Sequence, residues 1–178
     1  MGQERKMALS EEQMSQNLED VKKIQVYLDE DPLAKGLVSV NNKLAEIQLA
    51  KDKVSSLLMS AMKNLAEHEI MKDQAQNTHD RQQDLLIATD PTIQAQKSAE
   101  QRSIHARMKM PELVLDLHRA DVSLLKASWY LKCMQLVASN LESANANLSR
   151  QITVIQMDLN LQGANGGPGR SATKTLQF

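Results

Sequence analysis

The sequence predicts an all-α protein, built as an elongated helical hairpin or coiled-coil bundle. Apolar residues recur at alternating steps of three and four positions over most of the chain, which is the period of an amphipathic helix. Of the 178 residues only four are aromatic, so Leu, Ile, Val, Met and Ala must supply the core. Four of the six glycines follow residue 162, which leaves the body of the chain with few turn-forming residues.

We expect four helices, at about residues 10–30, 37–72, 91–109 and 111–162, in one helical domain covering residues 1–162. Ser10 and Gln13 have the spacing of a capping box and predict the first helix start. Asp31-Pro32, followed by Gly36, predicts that the first helix ends before the second begins near residue 37.

The second helix is predicted to carry a heptad seam, a row of apolar residues that packs on a partner helix. Its members are Leu37, Val40, Leu44, Ile47, Val54, Leu58, Ala61 and Leu65. Lys51 occupies the one seam position without an apolar residue, and such a polar defect sets register at a cost in stability.

Residues 73–103 are rich in Gln, Asp and Ser and show little periodicity, so we expect a fraying helix end and a mobile polar connector. Asp90-Pro91 then predicts a new helix, with Asp as the N-cap and Pro at the first helical position. That helix should end near Met110, because Pro111 disfavours helical geometry in the residue before it.

Pro111 is expected to open one very long C-terminal helix, about 75 Å in length at 1.5 Å per residue. A helix of this length needs a partner along it. Its predicted seam is Leu113, Leu117, Ala120, Leu124, Ala127, Leu131, Met134, Ala138, Leu141, Asn145, Leu148, Ile152, Ile155 and Leu159.

A second apolar stripe follows the other side of this helix. It consists of Val122, Leu125, Trp129, Cys133 and Leu136. A helix that is apolar nearly all round must be covered on both sides, either by another helix of the chain or by a second subunit. We therefore expect the stripe to be an oligomer interface in a homo-oligomer.

Residues 163–178 form a Gly-rich segment that predicts a flexible, disordered C-terminal tail. Two apolar side chains, Leu176 and Phe178, lie at its far end. They are either simply disordered or a short peptide that binds a partner protein.

No phosphate-binding glycine loop, nucleophile elbow or metal-ligand pair occurs in the sequence. The four histidines, His68, His79, His105 and His118, are scattered, and each is expected to be structural. We therefore expect no catalytic residue, no metal and no cofactor, and the protein is not expected to be an enzyme.

The single cysteine favours a reducing compartment, and no apolar run approaches the roughly 18 residues of a membrane span. These features predict a cytoplasmic protein with no membrane association, in the host cytoplasm if a phage encodes it.

Charge is divided unevenly between the two halves of the chain. Residues 1–91 contain 16 acidic and 11 basic residues, whereas residues 92–178 contain 6 acidic and 10 basic residues. This asymmetry is typical of a polyanion-binding half, and equally of two halves that attract each other between like molecules. A basic strip stands out in the second half: Lys97, Arg102, Arg107, Lys109, Arg119 and Lys126. It is either a nucleic-acid backbone site or a solvated helix face.

The stretch from Lys97 to about Gln156 resembles the UvsY-like recombination mediator family of tailed phages. The similar residues begin with Lys97-Ser98-Ala99-Glu100, continue through Asp121-Val122-Ser123-Leu124, and end with Ser149-Arg150-Gln151-Ile152. Residues 37–65 resemble the first long helix of the family in pattern only. The chain departs from the family at the end of that helix, where only Lys63 is basic.

The resemblance implies a small helical protein that oligomerises, binds single-stranded DNA and assists loading of a RecA-like recombinase onto strands covered by single-strand-binding protein. DNA contact would then fall to the basic strip, mostly through phosphates and with little sequence selectivity. The alternative is a helical structural or assembly protein, such as a virion scaffold component or a secretion-apparatus coiled-coil subunit, that does not bind DNA.

Overall fold

The structure, a computed structural model, describes residues 8–24 and 32–165, with side chains over residues 8–24 and 36–163. These residues form five helices and no strand, which confirms the all-α prediction. The helices are α1 (Glu11–Lys22), α2 (Pro32–Thr89), α3 (Pro91–Gln94), α4 (Ala99–Met108) and α5 (Pro111–Asn165).

The capping box at the start of α1 is confirmed. The Ser10 amide donates to Gln13 Oε1 at 2.9 Å, and the Gln13 amide donates to Ser10 Oγ at 3.2 Å. The predicted end near residue 30 is wrong, because α1 stops at Lys22. Val21 is its last buried apolar residue, and Lys22 and Lys23 follow, so packing no longer supports the helix.

The second helix contains a break at Gly36, where φ is +74°. This left-handed region favours glycine, since a side chain there would be strained. The regular part of α2 therefore begins at Leu37, as predicted.

The predicted mobile connector is wrong for its first half, because α2 continues without interruption to Thr89. Side-chain hydrogen bonds one turn apart support this polar part: Gln76 donates to Asp80 at 2.8 Å. Two polar residues of this part also contribute to its packing. His79 is buried, and Gln83 Nε2 donates to Ser103 Oγ at 3.0 Å.

Residues 91–109 form two short helices instead of the single helix predicted. Asp90 is the N-cap of α3 and accepts from the Thr92 amide, as the Asp90-Pro91 signature indicated. A second cap, Ser98, accepts from the Gln101 amide and starts α4, so the chain leaves helical geometry between the two. The break before Pro111 is confirmed.

Burial along both long helices follows a seven-residue repeat. In α2 the predicted seam positions alternate between buried and half-buried, as at Ile47 and Leu44, and α5 follows the same alternation from Ala127 to Ile155. The first four predicted seam positions of α5, from Leu113 to Leu124, are only half-buried, and Leu159 is 51% exposed, so the predicted α5 seam is packed over only part of its length. Lys51 is half-buried at its seam position. The fully buried positions are Val40, Ile47, Val54 and Ala61 in α2, and Ala127, Met134, Leu141, Leu148 and Ile155 in α5.

The chain divides into two compact units. One contains residues 22–54 and 137–178. In its described part, Val40 and Ile47 of α2 form one apolar cluster with Leu148 and Ile155 of α5. Leu37, Leu44, Ala144 and Ile152 pack against this cluster.

The other unit contains residues 1–21 and 55–136, and in it α1 joins the two long helices. Asn64 of α2 is buried, accepts from the Leu9 amide at 2.7 Å and donates to Met14 Sδ at 3.5 Å. Asn17 donates to the hydroxyl of Tyr130, which is buried in α5, at 2.9 Å. These hydrogen bonds satisfy polar atoms whose burial would otherwise destabilise the fold.

The long C-terminal helix is confirmed and ends at Asn165, three residues beyond the predicted end. The predicted tail peptide, Leu176 and Phe178, lies outside the described residues. None of the described helices has the length and apolar character needed to span a membrane.

Candidate nucleic-acid and self-association surfaces

The helix α4 and the residues on either side of it carry four of the six residues of the predicted basic strip. Ala106 and Met110 are buried, which fixes one side of α4 and of the turn after it. Polar contacts also attach α4 to α2: Gln83 Nε2 donates to Ser103 Oγ at 3.0 Å, and Arg107 Nε donates to Gln83 Oε1 at 3.5 Å. Lys97 and the outer side of α4 therefore remain open to solvent.

Lys109 does not contribute a free charge to the strip. Its ammonium donates to the carboxylate of Asp90, and to Thr92 Oγ1 at 2.9 Å. The hydrogen bond from Lys109, followed by that from Thr92, holds the pKa of Asp90 well below its usual range. Lys109 thus connects the end of α4 to the N-cap of α3.

This ion pair predicts a pH-dependent contribution to stability. Because the folded-state pKa of Asp90 is lowered, its contribution is present above about pH 4 and declines as pH falls towards the folded-state pKa. Asp90→Asn keeps a capping side chain but removes the charge. We expect the variant to be less stable than wild type in urea unfolding at pH 7, and the difference to shrink at pH 2.5. A difference that does not change between the two pH values would contradict this role of the pair.

Two further strip residues, on α5, are also bound to carboxylates. Arg119 Nη1 lies 3.2 Å from Asp116 Oδ1, and Lys126 Nζ lies 2.6 Å from Glu11 Oε1. All of these groups are largely exposed, so each pair contributes little to stability. Each pair nevertheless lowers the charge that Arg119 and Lys126 present to a polyanion.

Three basic residues of the strip have no carboxylate within ion-pair distance among the described residues: Lys97, Arg102 and Arg107. We call them the α4 basic cluster. Arg102 is half-buried, and its Nε has no hydrogen-bond partner in the described part of the chain. Arg107 is close enough to Asp80 to help lower the pKa of that carboxyl, after the larger effects of Gln76 and His79. The cluster is thus the part of the strip that forms no ion pair within the described residues.

The predicted oligomer interface lies on the outer side of α5. Leu125 is 61% exposed, Trp129 is 65% exposed and Leu136 is 63% exposed. Val122 is also exposed, and Cys133 is half-buried. We call these five residues the α5 face. No described part of the chain covers this face. Of the two predicted coverings, another helix of the chain or a second subunit, the first is therefore not found among the described helices.

A pocket of about 570 Å³ lies between α4 and the first turns of α5. Its lining residues are Ile104, Arg107, Met108, Pro111, Val114, Leu115 and His118. Sequence analysis did not predict it, although Val114 and Leu115 fall outside the α5 seam and were a signal that more than one side of this helix is apolar.

A second exposed apolar surface lies on α2. Met59, Met62 and Ile70 are each more than half exposed and are spaced about one helical turn or two apart. We call these three residues the α2 face. The sequence predictions include the seam of α2 but not this outer stripe, although the spacing of Met59, Met62 and Ile70 indicates it.

The histidines do not meet in one place. His79 is buried with Nδ1 3.0 Å from Asp80 Oδ1, whereas His105 and His118 are exposed. Over residues 8–24 and 36–163, no group of three His, Cys, Asp or Glu side chains is arranged to hold a metal ion.

Comparison of the chain with models of protein families, with curated proteins and with solved structures gives no match.

Proposed function

We propose that the protein is a recombination mediator that acts by binding and not by catalysis. In this proposal it self-associates, holds single-stranded DNA and assists loading of a RecA-like recombinase onto strands covered by single-strand-binding protein, in the cytoplasm. The resemblance of residues 97–156 to the UvsY-like family supports the proposal. The helical architecture is compatible with it.

The observation that carries the DNA-binding part is the α4 basic cluster. Lys97, Arg102 and Arg107 occupy one short helix and its approach, and they are the strip residues without carboxylate partners among the described residues. A backbone phosphate gains a charge-assisted hydrogen bond from such a side chain without first breaking an ion pair. The DNA site of the proposal is therefore narrower than the predicted strip.

Self-association would allow weak phosphate contacts to hold DNA tightly. One copy offers only a few phosphate contacts, and each is screened by salt. When several copies are joined, the second and later contacts become intramolecular, and overall affinity rises without new chemistry. The strand is then organised along the assembly, where a recombinase can replace single-strand-binding protein.

A structural or assembly protein without DNA binding is the second candidate. It is favoured by a specific observation: Lys109, Arg119 and Lys126 are each bound to a carboxylate of the same chain. Half of the predicted strip thus serves as ordinary surface ion pairs.

Charge reversal of the α4 basic cluster tests the proposal. Replacing Lys97, Arg102 and Arg107 together by Glu should weaken binding to labelled single-stranded DNA by roughly 100-fold or more at about 0.1 M salt, because three phosphate contacts become repulsive. Fluorescence anisotropy measures the affinity, and circular dichroism checks that helix content is unchanged.

The matched control reverses three basic residues elsewhere, Lys43, Lys53 and Arg150, so that net charge changes equally. This control should alter affinity by only about threefold. Equal losses in both variants would show that net charge alone matters, and a wild-type protein that does not bind would favour the second candidate.

A further inference from the structure

Besides the pocket between α4 and α5, two further apolar surfaces of the same unit are left uncovered by the described residues, the α5 face and the α2 face. Exposed apolar area of this kind usually marks a contact surface. On each helix the face lies opposite the seam positions that are buried, Ala61 on α2 and Ala127 on α5. Both faces therefore lie on the side of their helix away from these buried positions.

We propose that the α5 face of one copy packs on the α2 face of the next copy. The inference rests on the self-association in the proposed function and identifies both of its contacting surfaces. Such a contact is heterologous, because each copy contributes a different surface.

The two faces are similar in length. The α5 face extends from Val122 to Leu136, about 21 Å along the helix, and the α2 face extends from Met59 to Ile70, about 16 Å. The faces also match in character. Trp129 offers a large rigid ring, and Met59 and Met62 offer flexible thioether side chains that adapt to an irregular partner and contact aromatic rings favourably.

Charge beside the two faces is complementary in balance, although the exposed Lys63 adds one basic residue to the two acidic residues beside the α2 face. Lys132 borders the α5 face and has no carboxylate within ion-pair distance in the described ranges. Glu69 and Asp73 border the α2 face, are exposed, and likewise have no basic partner there. Packing one face on the other brings these opposite charges together, which favours the correct pairing.

A symmetric pairing of two α5 faces is disfavoured by the same charges. Lys132 borders the α5 face without an ion-pair partner in the described ranges, so a twofold arrangement would bring the Lys132 side chains of both copies closer together and add no acidic partner. It would also leave the α2 face uncovered on every copy. The heterologous contact covers both surfaces at once.

Mixing two variants that each damage one face tests the inference. Trp129→Asp damages the α5 face, and Met62→Asp combined with Ile70→Asp damages the α2 face. Each variant alone should sediment as a monomer at concentrations where wild type assembles. A 1:1 mixture should form a dimer, because the intact α2 face of the first variant can bind the intact α5 face of the second.

Leu49→Asp is the control on α2, because Leu49 is exposed but lies outside the α2 face. It should assemble as wild type does. Circular dichroism should show equal helix content in all variants. If the α2-face variant does not fold, Lys132→Glu and the pair Glu69→Lys with Asp73→Lys replace the apolar variants. Each should weaken assembly about tenfold or more. Mixing them should restore assembly, because every contact between unlike copies then joins opposite charges.

The outcomes separate the two proposals. If wild type assembles and the α2-face variant assembles equally well, or if the mixture remains monomeric, the pairing of these faces is wrong while self-association stands. If wild type itself is a monomer at about 100 μM, self-association in the proposed function fails as well.

Discussion

Replacing Trp129 by Asp should dissociate the assembly that we propose. The indole is exposed in the single chain, so the substitution costs little there, whereas in the assembly it would place a carboxylate in a dry apolar contact. We expect a loss of at least about 3 kcal/mol of association free energy, which is roughly a 100-fold rise in the dissociation constant. Sedimentation velocity over a dilution series measures this change.

Trp129→Phe provides the matched control, because it keeps an aromatic ring and adds no charge. It should assemble within about tenfold of wild type, since only part of the apolar contact area is lost. If Trp129→Asp assembles as strongly as Trp129→Phe, the α5 face is an ordinary exposed surface and takes no part in self-association.

Removing a buried seam residue should have the largest effect on stability. Leu148 is 1% exposed and packs with Ile155 and with Val40 and Ile47 of α2. Leu148→Ala would leave a cavity in this cluster, and such substitutions cost about 2–5 kcal/mol. Urea unfolding followed by circular dichroism gives the free energy of unfolding.

Leu161→Ala is the control on the same helix, because Leu161 is 63% exposed. It should change the free energy of unfolding by less than about 0.5 kcal/mol. Equal effects of the two substitutions would mean that the heptad positions of α5 are not packed as described.

The helices with a regular apolar period were predictable, and the reason is physical. A seam residue such as Ile47 or Leu148 recurs every seven positions, and burial of that row supplies the packing that holds a long helix. The helix starts marked by Ser10, Asp90 and Pro111 were equally predictable, because each of these residues acts on the helix end where it lies.

The polar end of α2 could not be predicted in the same way. Residues 73–89 carry no apolar period, and their helix is held by contacts with residues distant in sequence, such as Gln83 with Ser103. The shorter α1 has a related cause. Val21 is the last buried position of α1, and two lysines follow it.

The sequence shows which basic residues make up the strip, but it does not show which of them form ion pairs. Lys126 is bound to Glu11, and the two residues are 115 positions apart in the sequence. Lys109 is bound to Asp90, whose role as a helix cap was predicted without its ionic partner. Only the three-dimensional arrangement distinguishes neutralised basic side chains from the α4 basic cluster.

Binding of the wild-type chain to labelled single-stranded DNA, titrated with salt, tests the central claim most directly. Each phosphate neutralised on a single strand contributes a slope of about −0.7 to the logarithm of affinity against the logarithm of salt concentration. With three basic residues in the α4 basic cluster of every copy, we predict a slope steeper than about −2 between about 50 and 200 mM salt. Undetectable binding at about 50 mM salt, or an affinity that does not change with salt, would contradict the account.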